Sequence, residues 1–355
     1  MAITFDVRWR MGARQPLDFQ PEFFALLQEI EASGSLFTAA KTLGISYRYA
    51  WGLMREWSKR IGQPVAELHR GRGTKLTPLG VKLLWGQKRV NARLGPELES
   101  LASELNSEIA AMASARPDLL VRAYASHGLA VGILRDLLNA RTDVHLDLQF
   151  RGSLESLRLF RSGKCDIAGF HFPYGELGVR LASRYRHLLH PEQDALIHVV
   201  DREQGILVAP GNPKNLHAVS DLAGKNVVFI NREPGAGTRL ILDALLQAAG
   251  VEPGSIHGYD NEEFTHTAVA ATVASGAADA GFGIRAAAAR LSLEFISIVR
   301  ERYLFAVRKE TVQTPPVSSV RGVLKSREFR KAVASLPGYD AADSGATVAL
   351  DELFS

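Results

Sequence analysis

A chain of 355 residues is long enough for two or three domains, each with its own core. Its 46% hydrophobic and 23% charged residues exclude a disordered chain, a collagen-like repeat and a coiled-coil fibre, and its single cysteine, Cys165, excludes an intramolecular disulfide. Residues 1–90 carry 14 Lys and Arg against 7 Asp and Glu, whereas residues 91–355 carry 28 against 31. A basic N-terminal quarter is typical of a domain that binds a polyanion, although a solvated basic surface has the same composition.

The start of the chain carries no export pattern. Its first 25 residues contain six charged side chains and no continuous apolar stretch, which argues against a signal peptide. No window of about 18 apolar residues occurs elsewhere, so we expect no transmembrane helix and no membrane partner. Together with the single cysteine, which fits a reducing compartment, these patterns predict a cytoplasmic protein.

The apolar spacing at the start of the chain is helical. It predicts three helices, over residues 20–32, 35–43 and 46–60. Ser35 and Ser46 are suitable N-caps for the second and third helices, and Gly44 is suited to a positive φ after the second. Two short helices joined by a glycine-containing turn form a helix-turn-helix.

Basic and aromatic residues follow on the third helix and on a hairpin. Residues 64–77 are predicted as two strands around Arg70-Gly71-Arg72-Gly73, a wing whose glycines permit close approach of the backbone to phosphate. A helix in the major groove would bring its side chains to bases and phosphates. The candidate DNA-binding residues are Ser46, Tyr47, Arg48, Tyr49, Arg55, Arg70, Arg72 and Lys75.

This region resembles a known family. GSLFTAAKTLGISYRYAW, followed by LTPLG, resembles the winged helix-turn-helix of the molybdate-responsive ModE regulators and is more distantly similar to the LysR type. The resemblance covers about residues 20–85, and SYRYAW is its most specific part. HRGRGTKLT is shorter and less glycine-rich than the ModE wing and closer to that of LysR. The resemblance implies that residues 1–85 bind double-stranded operator DNA.

A long helix is predicted after the wing. Apolar residues continue from Leu79 onward, and Gly95-Pro96 predicts a break or a kink. An a/d-like seam, spaced by 3, 4, 4 and 3 residues, is formed by Leu98, Leu101, Leu105, Ile109 and Met112. A helix packed on its own domain would show the same pattern, but half-site recognition needs two reading heads at a fixed separation. We therefore assign residues 86–116 to a linker and dimerisation helix, and expect a homodimer or a higher homo-oligomer.

Strands and helices alternate beyond Pro117. LLVRAYA, VHLDLQF and DIAGFHF are predicted as strands, with GLAVGILRDLLNA and SLESLRLFRSG as the helices between them, which predicts a parallel sheet. A second such block begins near Val219. Between the blocks, ILVAPGNP is punctuated by Pro and Gly, as expected at a crossing between two lobes.

Four strand-to-helix junctions place small or hydroxyl residues directly before a helix. A helix N-terminus offers unpaired N–H groups and a partial positive charge, which hold an oxyanion without a full countercharge. Helix capping is the simpler role for each hydroxyl, and a surface ion pair is the simpler role for Arg239. The candidate ligand-binding residues are Ser126, His127, Ser153, Leu154, Gly237, Thr238, Arg239, Thr265, His266 and Thr267.

A second resemblance covers about residues 118–310. RGSLESLRLFRSGKCDIAGFHFP, APGNP, FINREPGAGTR and EEFTHTAVAATVASGAADAGFG resemble the type 2 periplasmic-binding-protein-like domain found beside ModE-type reading heads. The resemblance implies two lobes that close on a ligand, with the four helix N-termini as contacts. The predicted fold class is α/β: a winged helix-turn-helix (1–85), a linker helix (86–116) and a two-lobed periplasmic-binding-protein-like domain (117–355).

The function predicted from these patterns is a cytoplasmic, ligand-responsive transcriptional regulator. It would bind operator DNA as a dimer and sense a small oxyanion, with molybdate or tungstate as the first choice and no cofactor or metal site. No GxSxG elbow, HExxH helix or P-loop occurs, so no catalytic residue is assigned. The alternatives are an enzyme of molybdenum-cofactor chemistry, a non-regulatory anion store, and a sensor of sulfate, formate or a pterin.

Overall fold

The computed structural model describes residues 3–12, 16–69, 73–113, 119–224 and 226–354. It divides into two compact units, one of Asp6–Asn91 and one of Met1–Phe5 with Ala92–Ser355. No helix among the described residues is both long and apolar enough to cross a membrane.

The smaller unit is a winged helix-turn-helix. Its elements are β1 (Arg10–Met11), β2 (Leu17–Asp18), α1 (Pro21–Ser33), α2 (Leu36–Thr42), α3 (Tyr47–Ile61), β3 (Ala66–His69), β4 (Gly73–Leu76) and the first part of α4 (Pro78–Ala113). The three helices bury one apolar core whose largest member is Trp57. Its indole N–H donates to the Gln20 side chain at 2.7 Å, so the one polar atom of the ring is satisfied.

The helix ends in this unit follow the predicted chemistry. The Ser35 and Ser46 hydroxyls accept the backbone N–H groups of Thr38 and Tyr49, at 3.2 and 3.1 Å, and both predicted N-caps are confirmed. Gly44 has φ +68°, also as predicted. These caps fix where α2 and α3 begin, and α3 is the predicted reading helix.

The larger unit is an α/β structure. After α4 its elements are β5 (Leu120–Ala125), α5 (Leu129–Arg141), β6 (His145–Phe150), α6 (Ser153–Arg161), β7 (Ile167–Pro173), α7 (Gly175–Arg186), β8 (Asp194–Val208), β9 (Phe229–Arg232), α8 (Gly237–Ala248), β10 (Glu262–Glu263), α9 (His266–Ala274), β11 (Ala280–Ile284), α10 (Arg285–Arg290), β12 (Glu294–Arg308), α11 (Pro315–Lys325), α12 (Arg327–Ala334), β13 (Tyr339–Asp340), β14 (Thr347–Val348) and α13 (Leu350–Phe354). The predicted βαβαβ order from β5 to β7 is confirmed.

The sheet of this unit has two lobes joined by two long strands. Its strand order is β10-β9-β11-β8-β12-β7-β5-β6, with β13 and β14 also paired to β8. We call β5, β6 and β7 the first lobe and β9, β10 and β11 the second; the strands within each lobe are parallel. The antiparallel pair β8 and β12, each of 15 residues, runs through both lobes.

The chain crosses between the lobes within two long strands and not at the predicted segment. ILVAPGNP contributes the last residues of β8 and the turn after it, whereas the crossing itself is within β8 and β12. At Gly205 these strands approach so closely that a Cβ would collide with the Ile296 carbonyl oxygen. The prediction was therefore wrong about position, because a continuous strand, and not a Pro/Gly turn, joins the lobes.

Helix α4 continues through Gly95-Pro96, so the break considered there is absent. A proline inside a helix leaves the carbonyl four residues earlier without its N–H donor. That carbonyl belongs to Ala92, and it accepts the Thr265 hydroxyl at 2.8 Å instead. A tertiary hydrogen bond thus replaces the helical one at this point.

The same helix covers the edge of the sheet. The Ser100 and Ser103 hydroxyls accept the N–H groups of Phe150 and Leu148 on edge strand β6, at 3.0 and 2.9 Å. Edge strands expose such donors, and covering them prevents pairing with another chain. Of the predicted seam, Leu101 and Ile109 are exposed and Leu98 and Leu105 half-buried, whereas the side chain of Met112 lies outside the described residues.

Candidate functional site

Four helices of the larger unit begin at the predicted junctions: α5, α6, α8 and α9. Only α9 has a side-chain cap, because Thr265 accepts the Ala268 N–H at 2.9 Å. The residues before α5, α6 and α8 make no side-chain capping bond within the described chain. At α5 and α8 the third N–H of the helix bonds to the N-cap carbonyl, from Val131 to Gly128 at 3.1 Å and from Arg239 to Ala236 at 3.0 Å. No side chain caps the earlier N–H groups of these first turns, so those groups are the ones suited to an anion.

Two of these helix ends, one from each lobe, meet around Ser153 and His171. A Cβ added to Gly237 at the start of α8 would lie 2.8 Å from the Ser153 hydroxyl, which starts α6, and 3.1 Å from the His171 ring. Gly152 approaches the Gly235 backbone even more closely, so a side chain there would collide with it. Glycines at these two positions let the lobes touch through their helix N-termini.

A buried polar chain lies beside this contact. The Ser126 hydroxyl is 2.5 Å from His171 Nε2 and 3.4 Å from the Ser153 hydroxyl. Arg202 donates to the same His171 nitrogen at 2.9 Å and is hydrogen-bonded through its Nε to Glu301. Ser126, Ser153, His171, Arg202 and Glu301 all have 4% or less of their surface exposed.

Ser126 and Arg202 compete for the same nitrogen of His171. Because a guanidinium has only donors, His171 Nε2 must accept from Arg202, and the ring proton then belongs on Nδ1. The lone pair that would remove a proton from Ser126 is therefore already engaged. Arg202 and Glu301 cancel each other's charge, which leaves hydroxyl and N–H groups to hold an anion.

Burial keeps the histidines near the cleft neutral. It lowers the pKa of His171 and His266 well below the ordinary value, with the positive charges of Arg202 and Arg232 acting in the same direction. Burial, with Arg232 and Arg202 adding to it, lowers the pKa of His127 to about 3. Near pH 7 these rings offer one donor and one acceptor each and no positive charge.

A cavity of about 790 Å³ is lined in part by residues that directly precede these helices. They include Ser126, Gly152, Gly235 and Thr265, so both lobes contribute. Its other lining residues are Arg93, Leu94, Pro96, Glu97, Ser100, Leu101, Glu104, His127, Gln149, Phe150, Arg151, Glu155, Arg232, Glu233 and Phe264. The residues from 93 to 104 belong to α4, so the linker helix forms one wall.

The predicted ligand-binding residues fall into two groups. Ser126, His127, Ser153, Gly237 and Thr265 line the cavity or the contact between the lobes. Thr238 is buried, and its hydroxyl has no hydrogen-bond partner among the described residues.

The other four candidates, Leu154, Arg239, His266 and Thr267, are not among the residues that line the cavity. Arg239 is held by Asp243 at 3.1 Å, by the Arg232 carbonyl at 3.0 Å and by the Tyr259 ring, whose centre is 4.0 Å from its guanidinium. The sequence had left open an ion pair at the surface; the ion pair is present, but Arg239 is buried, with 6% of its surface exposed. Leu154 is half-buried against the core, and Thr267 is half-buried one position into α9. His266 is buried beside Gly283 of β11.

Sequence reasoning missed His171, Arg202, Arg232 and Phe264. His171 lies within the predicted strand DIAGFHF, where its alternation with apolar residues was the available signal. Arg202 and Arg232 are charged residues inside strands β8 and β9, and nothing local in the sequence indicates that they are buried. Phe264 precedes the recognised Thr265 junction by one residue.

The candidate DNA-binding residues lie in the smaller unit. Tyr47, Arg48, Tyr49 and Arg55 are exposed on α3, and Lys75 is exposed on β4. Ser46 is the N-cap of α3, so its hydroxyl is already engaged. Arg70 and Arg72 lie outside the described residues.

Two exposed aromatic residues of this surface were not among the candidates. Trp51 on α3 is 41% exposed, and Phe37 on α2 is 65% exposed and lies near the Tyr47 ring. Large exposed aromatic side chains in one place are unusual on a surface without a partner. The helical pattern of the sequence had left both residues unassigned.

Comparison with known proteins assigns the larger unit. The PBP superfamily domain matches residues 135–325, more than half of the chain. The chain belongs to the PBP superfamily. YvgK of Bacillus subtilis (strain 168), an uncharacterized protein, is 35% identical over 234 residues, which are 66% of this chain and 74% of YvgK. YvgK therefore matches about two thirds of this chain and about three quarters of its own length.

Two further relatives carry molybdenum in their names. The molybdenum transport protein ModE of Herbaspirillum seropedicae is 41% identical over 66 residues, 18% of this chain and 24% of ModE. The molybdenum-pterin-binding protein MopB of Rhodobacter capsulatus is 33% identical over 101 residues, 27% of this chain and 36% of MopB. The resemblance to ModE-like regulators joined to a PBP-like domain is thereby confirmed, over short parts of both relatives.

Proposed function

We propose that this PBP superfamily protein is a ligand-responsive transcriptional regulator that senses a small oxyanion. The smaller unit would bind double-stranded operator DNA, and the larger unit would bind the anion in its cleft. The observation that carries the ligand half is the meeting of uncapped helix N-termini from both lobes around Ser153 and Gly237. Such ends bind anions through N–H groups and the helix dipole.

Molybdate and tungstate are the proposed ligands. The names of ModE and MopB connect relatives of this chain with molybdenum. Ser126 and Ser153 contribute hydroxyl groups, and the Arg202–Glu301 pair adds no unbalanced charge. The Thr238 hydroxyl, buried without a partner among the described residues, is a third candidate donor. Donors of this kind suit a tetrahedral dianion, because several N–H and O–H groups can each donate a hydrogen bond to a different oxygen of the anion.

The proposed DNA surface is the exposed face of α3 together with β4. Arg48 and Arg55 on α3 and Lys75 on β4 are exposed cations, so they are free to reach bases and phosphates. Operator recognition in two half-sites requires two copies of the chain. Ile109 of the predicted seam is exposed on α4 and does not line the cavity, and we propose that the part of α4 around it forms the homodimer.

The ligand half is tested by calorimetry with molybdate, tungstate, sulfate and formate. We expect Ser153→Ala, which removes a donor at the start of α6, to weaken molybdate binding by about 1 to 3 kcal/mol. The matched control is Ser162→Ala at the other end of the same helix, where the hydroxyl bonds only to the Leu159 carbonyl. Unchanged molybdate affinity in Ser153→Ala, or an equal loss in the control, would reject the cleft as the anion site.

The DNA half is tested with an inverted-repeat operator selected from random duplexes. Its affinity should fall steeply with salt, because bound Lys and Arg release counterions from DNA. Arg48→Ala should weaken binding, whereas Arg184→Ala, which removes an exposed cation from α7 of the larger unit, should not. A salt-independent affinity, or a monomer at micromolar concentration, would argue against this half of the proposal.

A further inference from the structure

The cavity is far larger than an inorganic oxyanion needs. Its volume of about 790 Å³ lies in the upper part of the range for sites that enclose drug-sized organic ligands, roughly 300–1,000 Å³. A tetrahedral oxyanion has only five heavy atoms and would fill the helix ends alone. Most of the cavity would then remain for another part of the same ligand.

The lining of the cavity combines aromatic and apolar side chains with charged ones. Its charged members are Arg93, Glu97, Glu104, Arg151, Glu155, Arg232 and Glu233. Phe150 and His127 lie with ring centres 4.9 Å apart, and Phe264 is 52% exposed on the same cavity. Leu94 and Pro96 of α4 line the wall contributed by the linker helix. Because the pKa of His127 is about 3, its ring is neutral near pH 7 and can pack against an aromatic ligand.

Arg232 is a buried cation that lines this cavity, and one of its N–H donors is unpaired among the described residues. Arg232 is 3% exposed, and its Nη2 donates to the Phe264 carbonyl at 2.8 Å and lies 3.6 Å from Glu233. Its Nε has no hydrogen-bond partner in the described part of the chain. A buried guanidinium donor without a partner is costly unless a ligand supplies the acceptor.

From this arrangement we infer that the cavity binds an organic anion with a planar aromatic body. The anionic group takes the helix N-termini and Arg232, and the aromatic body lies between Phe150, Phe264 and the wall formed by α4. This inference rests on the proposed function, because it uses the same helix ends, and it adds the chemical class of the ligand. It also places the ligand directly against the helix that leads to the smaller unit.

Calorimetry with three probes tests the inference on the full chain: molybdate, inorganic phosphate and phenyl phosphate. We expect phenyl phosphate to bind at least tenfold more tightly than phosphate. Phe264→Ala should weaken phenyl phosphate by about three- to tenfold and leave phosphate and molybdate unchanged. The Phe264 ring lines the cavity and would contact the aromatic body, whereas the anionic group would bind at the helix ends. The matched control is Val179→Ala, a 55% exposed residue of α7 outside the cavity lining.

The outcomes separate this inference from the proposed function. Equal affinity for phosphate and phenyl phosphate, or an equal loss for all probes in Phe264→Ala, overturns the inference. Binding of molybdate alone also overturns it, while leaving the oxyanion proposal in place. Binding of phenyl phosphate without molybdate supports the inference and removes molybdate as the ligand. If none of the three probes binds, both are rejected.

Discussion

The Thr238 hydroxyl is buried in the first turn of α8 without a hydrogen-bond partner among the described residues. A buried donor in this state lowers stability, and replacing it with an apolar group of similar shape removes that penalty. Thr238→Val should therefore leave the ligand-free protein as stable as before, or up to about 1 to 3 kcal/mol more stable. Urea unfolding without ligand measures this.

The same substitution should weaken ligand binding if the hydroxyl serves the anion. The expected loss in molybdate affinity by calorimetry is about tenfold or more, the equivalent of 1.4 kcal/mol. Thr238→Ser keeps the hydroxyl and should retain the affinity. Lower stability with unchanged affinity would mean that Thr238 has a packing role and no part in the site.

His266 makes the stability of the larger unit depend on pH. Burial, with Arg232 and Arg202 next, lowers its pKa well below the ordinary value of about 6.5, and neither ring nitrogen has a hydrogen-bond partner within the described residues. The unfolded chain therefore binds the proton more tightly, so stability is complete above about pH 6.5 and falls as the pH drops below it.

His266→Gln should reduce the slope of unfolding free energy against pH below 6.5. One such histidine contributes at most about 1.4 kcal/mol per pH unit. His257→Gln, at an exposed position, is the control for the loss of a histidine ring. Urea midpoints between pH 7 and pH 5 would settle the point; identical slopes in wild type and His266→Gln would contradict it.

At the scale of elements, helix starts were the most predictable feature. Ser35 and Ser46 cap α2 and α3 as expected, and α5, α6, α8 and α9 begin where small or hydroxyl residues had indicated. Capping depends on residues within one turn of each other, so local sequence carries the information. The position of a ligand contact depends on residues from two lobes, which local sequence does not report.

The strands β8 and β12 show what could not be predicted. Their central segments contain DREQG and RER, which lack the apolar alternation expected of a strand. In the structure Arg202 and Glu301 lie buried opposite each other, and their pairing offsets the cost of burying two charges. The two segments are about a hundred residues apart, so only the fold reveals that each charge has a partner.

The junction between Thr265 and α4 gives a prediction for these elements. One hydroxyl accepts the Ala268 N–H as the cap of α9 and donates to the Ala92 carbonyl that Pro96 leaves without a helical donor. Thr265→Val should therefore destabilise the larger unit by about 1 to 2 kcal/mol, from the lost cap and the newly unsatisfied carbonyl. Thr265→Ser should restore most of the loss. Equal urea midpoints for the two variants would show that the hydroxyl does not hold α4 to the second lobe.

At the scale of the whole chain, α4 passes from one unit to the other. Its residues up to Asn91 belong to the smaller unit, and those from Ala92 onward belong to the larger unit and line the cavity. Residues that line the cavity and residues of the smaller unit therefore share one continuous helix. A ligand that favours one arrangement of that helix would change DNA affinity by its differential binding to the two arrangements.

Reciprocal coupling between ligand and operator is the resulting prediction. Saturating molybdate should change operator affinity by about 5- to 150-fold, and saturating operator should change molybdate affinity by the same factor, because both describe one coupling free energy. Fluorescence anisotropy gives the first quantity and calorimetry the second. Ser153→Ala should keep the operator affinity of the ligand-free protein and respond to molybdate only at higher concentrations. Operator affinity that is the same with and without saturating molybdate would remove the sensing role for this anion. If molybdate and operator changed each other's affinity by different factors, the two measurements would not report the same pair of states.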